Sequence, residues 1–117
     1  MLKIKRMYDE ASNDDGYRIL IDRLWPRGVS KEDAKLDHWS KEIAPSATLR
    51  EEFHHEDESF KDFKKDYFKE LNNNENKKEF LDLVQEEMES GNVTLLYAAK
   101  NEDQNNAVVL KEWIEKN

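Results

Sequence analysis

Val93-Thr94-Leu95-Leu96-Tyr97-Ala98 is the run that decides the fold. It is short, apolar and almost free of polar interruption, the pattern of a strand covered on both faces, as in a parallel sheet. Tyr17-Arg18-Ile19-Leu20-Ile21-Asp22 is a second run of the same kind. Leu2 to Met7 alternates instead, with Leu2 and Ile4 against Lys3 and Lys5, as an outer or half-buried strand does. The stretch from Asp9 to Gly16 between them is rich in turn formers. After the first run come a polar loop, 99–104, and a helical pattern over 105–115 marked by Ala107, Leu110, Trp113 and Ile114.

Helical periodicity fills most of the remainder. Phe60, Phe63, Tyr67 and Leu71 recur at steps of three and four, and Phe80, Leu81, Val84 and Met88 repeat the pattern. Ser30 with Asp33 marks a short helix start, and Thr48 with Glu51 has the capping-box spacing. Gly91 stands where a left-handed helix cap belongs, and Asn72-Asn73-Asn74 reads as a linker between two helices. Strands separated by helices predict an α/β fold: a small three-layer sandwich with a short, mostly parallel sheet and several amphipathic helices, in one domain over 1–117. Ligands of such sheets bind beyond the carboxyl ends of the strands, which directs attention to 22–28 and 97–106.

The composition narrows the function classes. The 117 residues hold 19 Lys or Arg against 27 Asp or Glu, a net charge of −8, and no Cys. A cysteine nucleophile, a disulfide framework and a thiolate metal site are excluded. The acidic total opposes an extended nucleic-acid partner and an anionic membrane. Residues 1–50 carry 10 positive and 9 negative charges, whereas 51–117 carry 9 and 18. All five arginines, Arg6, Arg18, Arg23, Arg27 and Arg50, fall in the first part. Charges at positions 3, 5 and 6 rule out a signal-peptide core, and no uncharged run reaches membrane-spanning length, so the cytoplasm is the expected location. No Walker loop, dinucleotide fingerprint, nucleophile elbow or His-Glu-x-x-His motif is present, and no cofactor is expected.

Asp22-Arg23-Leu24-Trp25-Pro26-Arg27-Gly28 is the strongest local constellation. Pro26 fixes its own φ and biases Trp25 toward extended backbone, and Gly28 permits a turn. The shaped loop holds two guanidiniums, which grip phosphate, sulfate or carboxylate through bidentate bonds. The alternative is that Trp25 and Pro26 are core and Asp22 pairs with a local arginine. Ala98-Ala99-Lys100-Asn101 with Asn105-Asn106-Ala107 is the second constellation: Lys100 brings charge to a strand end and a helix start offers N–H groups. Simple capping by one Asn is the alternative there. Ser46 and Thr48 stand near another helix start, where N-capping competes with an anion site. His54-His55-Glu56-Asp57-Glu58 could hold a metal, but adjacent His side chains point apart and no third ligand has recognisable spacing, so no metal is expected.

At these residues the chain resembles the YeaO-like branch of the domain-of-unknown-function 488 family. The resemblance covers essentially the whole chain. It rests on Gly16-Tyr17-Arg18, Asp22 to Gly28, Trp39, Lys41-Glu42, Ala44-Pro45-Ser46, Leu49-Arg50, Phe53-His54, Leu95 to Lys100, Gln104-Asn105 and Ala107 to Leu110. The resemblance implies a small bacterial or archaeal α/β protein with no settled activity. In similar proteins an Asn-His-Ala pattern commonly places His where this chain has Asn106. If that His serves as a base, the chain has lost it; if it only donates a hydrogen bond, Asn106 substitutes.

Two functional readings follow, beside a purely structural one in which the arginines are paired to Asp or Glu. In the first, a pocket at the carboxyl edge accepts a small phosphorylated metabolite or nucleotide. Arg23, Arg27 and Arg50 hold the anion, Lys100 assists, Trp25 and Tyr97 form an aromatic wall, and Asn105 orients the ligand, with Gly28, Ser46 and Asn106 completing the site. Whether chemistry follows is open, since no activated nucleophile stands beside a base. In the second, the chain is a non-enzymatic interaction module that meets a protein partner through Trp25, Trp39 and the arginines.

Overall fold

The computed structural model describes residues 1–54 and 59–117. Among them are four strands, β1 (Leu2–Arg6), β2 (Tyr17–Leu20), β3 (His38–Trp39) and β4 (Val93–Tyr97). The described α-helices are α1 (Lys31–Ala34), α2 (Ala47–His54), α3 (Phe60–Asn72), α4 (Lys77–Ser90) and α5 (Asn106–Glu115). The strands form one sheet in the order β1-β4-β2-β3, and every neighbouring pair is parallel. This is the α/β fold that the apolar runs predict. β4 comes last in the chain and lies inside the sheet, with all five residues buried. Its sequence does not alternate because neither face of it meets water.

The register sorts the side chains between the two faces. Ile4 and Ile19 both stand beside Leu95. They share a core with Leu49 of α2, Phe63 and Tyr67 of α3, Val84 of α4 and Trp113 of α5. Leu20 and Leu96 pair on the opposite face, where they meet Met7, Ala34 and the partly buried Trp25 and Trp39. The sheet thus separates unequal layers. One is built from α2 to α5, and the other from loops and the single-turn α1. Each fully buried Leu or Ile on either face contributes about 1.5–3 kcal/mol over its exposed state.

Several local predictions shift by a residue or two. Ser46, not Thr48, caps α2: its Oγ accepts from the Leu49 N–H at 3.2 Å. The helix begins at Ala47, which leaves Thr48 inside the first turn. Gly91 has φ 164 and ψ −156, extended backbone rather than a left-handed cap. The left-handed turn belongs instead to Lys35 after α1, at φ 47. Met88 is exposed rather than part of the apolar stripe of α4. β3 is too short to announce itself in the sequence, since two residues carry no periodicity.

The entry to β2 is closed by charge. Ser12 and Asp15 form a reciprocal capping box around a 3-10 turn. The Arg18 guanidinium donates to the Asp15 carboxylate and to the Ala34 carbonyl, and Lys5 Nζ reaches Asp15 at 3.2 Å. Burial pushes the Asp15 carboxyl up, but the Ser12 N–H, Lys5 and Arg18 outweigh it and hold the group below its ordinary range. Among the described residues no helix is long and apolar enough to cross a membrane.

Candidate functional site

Because β2 and β4 are adjacent and parallel, their carboxyl ends emerge side by side. The Ile21 N–H donates to the Leu96 carbonyl at 3.1 Å and carries the pairing one residue past the strand. Asp22 is therefore delivered to the top of the sheet between the end of β4 and the start of α5. Its Oδ2 accepts from the Ala98 N–H at 2.9 Å, and its Oδ1 accepts from Asn106 Nδ2 at 2.9 Å. Its main-chain carbonyl accepts from the Trp39 indole N–H at 2.7 Å. Burial pushes the Asp22 carboxyl above its ordinary range, against the opposing pull of the Asn106 and Ala98 hydrogen bonds and of the Arg50 charge.

Asp22 thus ties the end of β4, α5 and β3 together by hydrogen bonds, a position absent from the site expected from the sequence. The alternative weighed there had it pairing with a local arginine, whereas neutral donors hold it. Arg50, half-buried on α2, is near enough for its charge to act on Asp22 but makes no direct ion pair among the described residues. The signal was present in principle: Asp22 is the acidic residue that ends an apolar strand, where side chains face the ligand-binding edge.

The remaining predicted residues divide. Arg23 turns toward the loop before α2, donating from Nε to the Pro45 carbonyl at 3.3 Å and from Nη2 toward the Ala44 carbonyl at 3.5 Å. Trp25 packs edge-on against Trp39, with ring centroids 5.5 Å apart at 68°, and its indole donates to the Val29 carbonyl at 2.7 Å. Pro26 is buried beside it. Gly28, at φ 82, makes the turn expected of it. The Arg27 carbonyl accepts from the Tyr8 hydroxyl at 3.0 Å, while its exposed guanidinium bonds to no described residue. Lys100 is exposed and likewise unpaired among the described residues.

The second constellation resolves cleanly. Asn105 is buried and caps α5, its Oδ1 accepting from the Val108 N–H at 3.0 Å, while its Nδ2 donates to the Asn101 carbonyl. Asn106 does the work capping left unexplained, by donating to Asp22. Tyr97 is 2% exposed, so it is core rather than an open aromatic wall. Burial, followed by the nearby Glu102 charge, pushes its phenol up. Arg6, which the sequence reading did not single out, stiffens this edge: its Nε donates to the Ala99 carbonyl at 2.9 Å and its guanidinium lies 5.3 Å from the Tyr8 ring centroid.

Ser46 does meet an anion, but one supplied by the chain. Glu70 of α3 accepts from the Ser46 N–H at 2.9 Å and from its Oγ at 2.6 Å. A cavity of about 450 Å³ opens next to this pair, between α2 and α3, with Thr48, Asp66 and Lys69 in its wall. Ser46 is the one predicted site residue that lines this cavity. The cluster weighed as a metal site, His54 to Glu58, lies outside the described residues apart from the His54 backbone. Among the described residues no group of three or more His, Asp or Glu is placed to hold a metal ion.

The class of protein is that of a parallel α/β sheet, here with Asp22 and Asn106 hydrogen-bonded at its carboxyl edge. The comparisons then place it. The family model described as "Inactive DUF488-N3 subclade" matches residues 1–117, and the chain belongs to that family. It is 46% identical to the uncharacterized protein YeaO of Escherichia coli (strain K12) over 114 residues, 97% of this chain and 96% of that protein. It is 43% identical over 70 residues to the uncharacterized protein Rv3073c of Mycobacterium tuberculosis (strain ATCC 25618 / H37Rv), 60% of this chain and 59% of that protein. No solved structure matches significantly.

Proposed function

We propose that this chain binds a small anion, a phosphorylated metabolite or nucleotide, at the carboxyl edge of its sheet and holds it without transforming it. The observation that carries the reading is the state of its cations. Arg27, Arg50 and Lys100 flank the strand ends and make no ion pair with a carboxylate among the described residues, while Lys5 and Arg18 near the entry to β2 are paired. Arg23 lies on the same loop and, among the described residues, bonds only to carbonyls and to no carboxylate. A guanidinium is the group best matched to phosphate geometry.

Binding without chemistry is favoured by Asn106. Its amide does not titrate, and its observed contact is a hydrogen bond donated to Asp22. The family description, which calls the subclade inactive, points the same way. The interaction-module reading leans on Trp25 and Trp39, but both are half-buried, packed on each other, and donate their indole N–H groups to carbonyls of this chain.

Thermal melting against sulfate, phosphate and a nucleotide panel tests the proposal. A ligand at one hundred times its Kd adds about 2.7 kcal/mol of stability. An upward shift in Tm is expected, and Arg50→Ala is expected to abolish it. Absence of any shift with every anion tested would end the reading.

A further inference from the structure

Asp22 stands where an anion should be. The Ala98 N–H at the end of β4 and the Asn106 amide at the start of α5 both point at its carboxylate, at 2.9 Å each. These are the kind of donors that an incoming phosphate uses. We infer that the Asp22 carboxylate is a built-in competitor for the anion, so that anion binding at this edge is coupled to uptake of a proton by Asp22. This inference rests on the anion-binding reading above and deepens it.

The groups that face Asp22 from each neighbouring element make the coupling specific. Arg50 of α2 is the cation whose charge acts on Asp22 through space, and it is not bonded to Asp22 among the described residues. Tyr67 of α3 is fully buried, senses the Asp22 charge, and donates its hydroxyl to the Ile43 carbonyl, so it supplies no donor to Asp22. Arg23, on the same loop as Asp22, is turned to the Ala44 and Pro45 carbonyls. Asn106 and the Ala98 N–H are neutral, and Trp39 of β3 bonds to the main-chain carbonyl rather than to the carboxylate.

An ionised Asp22 therefore competes for Arg50 with whatever anion arrives, and two negative charges then sit side by side. Like charges at one site drive the pKa of one of them up. Relief comes from a proton on Asp22. Burial already moves that carboxyl in the required direction. Once neutral, Asp22 ceases to repel and turns an O–H toward the ligand. Binding that takes up one proton strengthens about tenfold for each unit by which the pH falls, through the range where free Asp22 is ionised and bound Asp22 is not.

Sulfate is the appropriate probe, since it keeps its charge between pH 5 and pH 8 while phosphate does not. Calorimetric titration of the full chain with sulfate at constant ionic strength is to be run for the wild type and for Asp22→Asn. The wild type is expected to bind more tightly as the pH falls. Asp22→Asn is expected to bind at least tenfold tighter than the wild type at pH 7.5 and to lose the pH dependence. As a measurement independent of the variant's folding, wild-type titrations at pH 6 in two buffers of different ionisation enthalpy report proton uptake directly, and a clear net uptake is expected. A flat pH profile with no proton uptake in the wild type overturns the coupling while leaving the anion site in place. The same pH slope in Asp22→Asn as in the wild type also overturns it, by assigning the proton to another group. No sulfate binding by either protein at any pH overturns both the coupling and the reading it rests on.

Discussion

At the entry to β2 the chain closes on itself, and at the carboxyl edge it stays open. Two glycines measure the contrast. Gly16 has φ 64, and a Cβ placed there would stand 2.1 Å from the Asn92 carbonyl oxygen. Gly28 has φ 82, yet a Cβ there would meet nothing within 4 Å. The charges follow the same division. Lys5, Asp15 and Arg18 are knitted together with both Asp15 and Arg18 buried, whereas Arg27 and Lys100 face solvent with no carboxylate among the described residues. Both loops are polar, glycine-containing connections in the sequence. Only packing separates the one that fixes strand order from the one that is free to meet a ligand.

The largest expected effect is at Gly16. Gly16→Ala adds a methyl group against backbone that cannot retreat, because Asn92 also accepts from the Tyr17 N–H at 2.9 Å. A left-handed conformation and a backbone overlap together predict a loss of about 3 kcal/mol or more, read by urea denaturation. A loss below about 1 kcal/mol would show that the closed end is looser than its packing implies.

Arg18→Met comes next. It removes two donors from the Ala34 carbonyl and leaves the buried Asp15 carboxylate with Lys5 and the Ser12 N–H. Breaking one side of a buried pair costs about 3 kcal/mol, at the low end here because Lys5 remains. The pH dependence has a definite sign. The folded-state pKa of Asp15 lies below the 3.8 of an ordinary aspartate, so its contribution is present above that value and is lost as the pH falls through the lowered one. Asp22 acts in the opposite sense: its folded-state pKa is raised, so its contribution is present below 3.8 and is lost as the pH rises through the folded value. Acid melting curves of the wild type and Arg18→Met separate the two. The variant is expected to lose less stability than the wild type as the pH falls from about 4 through the lowered value, and an equal loss would mean that Arg18 does not hold the Asp15 carboxylate ionised.

These positions also show why the sequence reveals one kind of residue and hides another. The parallel sheet was readable because burial on both faces strips polarity from β4, a property that lies in consecutive residues. The long helices α3 and α4 were readable for the same reason, through periodicity. Asp22 was passed over because its partners are Ala98 and Asn106, which lie 76 and 84 residues away in the chain. The anion at Ser46 was hidden likewise, since Glu70 arrives from another helix. The helix start there was expected two residues late, because Ser46 and Thr48 are both good caps and only the path of the chain out of Pro45 chooses between them. Asn105 was read as orienting a ligand, and the simple capping weighed as the alternative is what its side chain does.

The smallest effect belongs to the open end and is the sharpest test of its openness. Gly28→Ala imposes the left-handed penalty on a residue with a Cβ but adds no contact, so a loss of about 1 kcal/mol is expected. The loop that Gly28 turns is pinned on either side by the Tyr8 hydroxyl on the Arg27 carbonyl and by the Trp25 indole on the Val29 carbonyl. Those two bonds leave the conformation of residue 28 little freedom to relax, so the penalty should appear in full rather than be absorbed by movement. A loss near that of Gly16→Ala would mean that the loop is packed from a side the contacts do not show, and the division between a closed and an open end would fail. No loss at all would mean that the loop refolds around the alanine. In that case the guanidinium of Arg27 would be displaced, and anion-induced stabilisation should fall along with it.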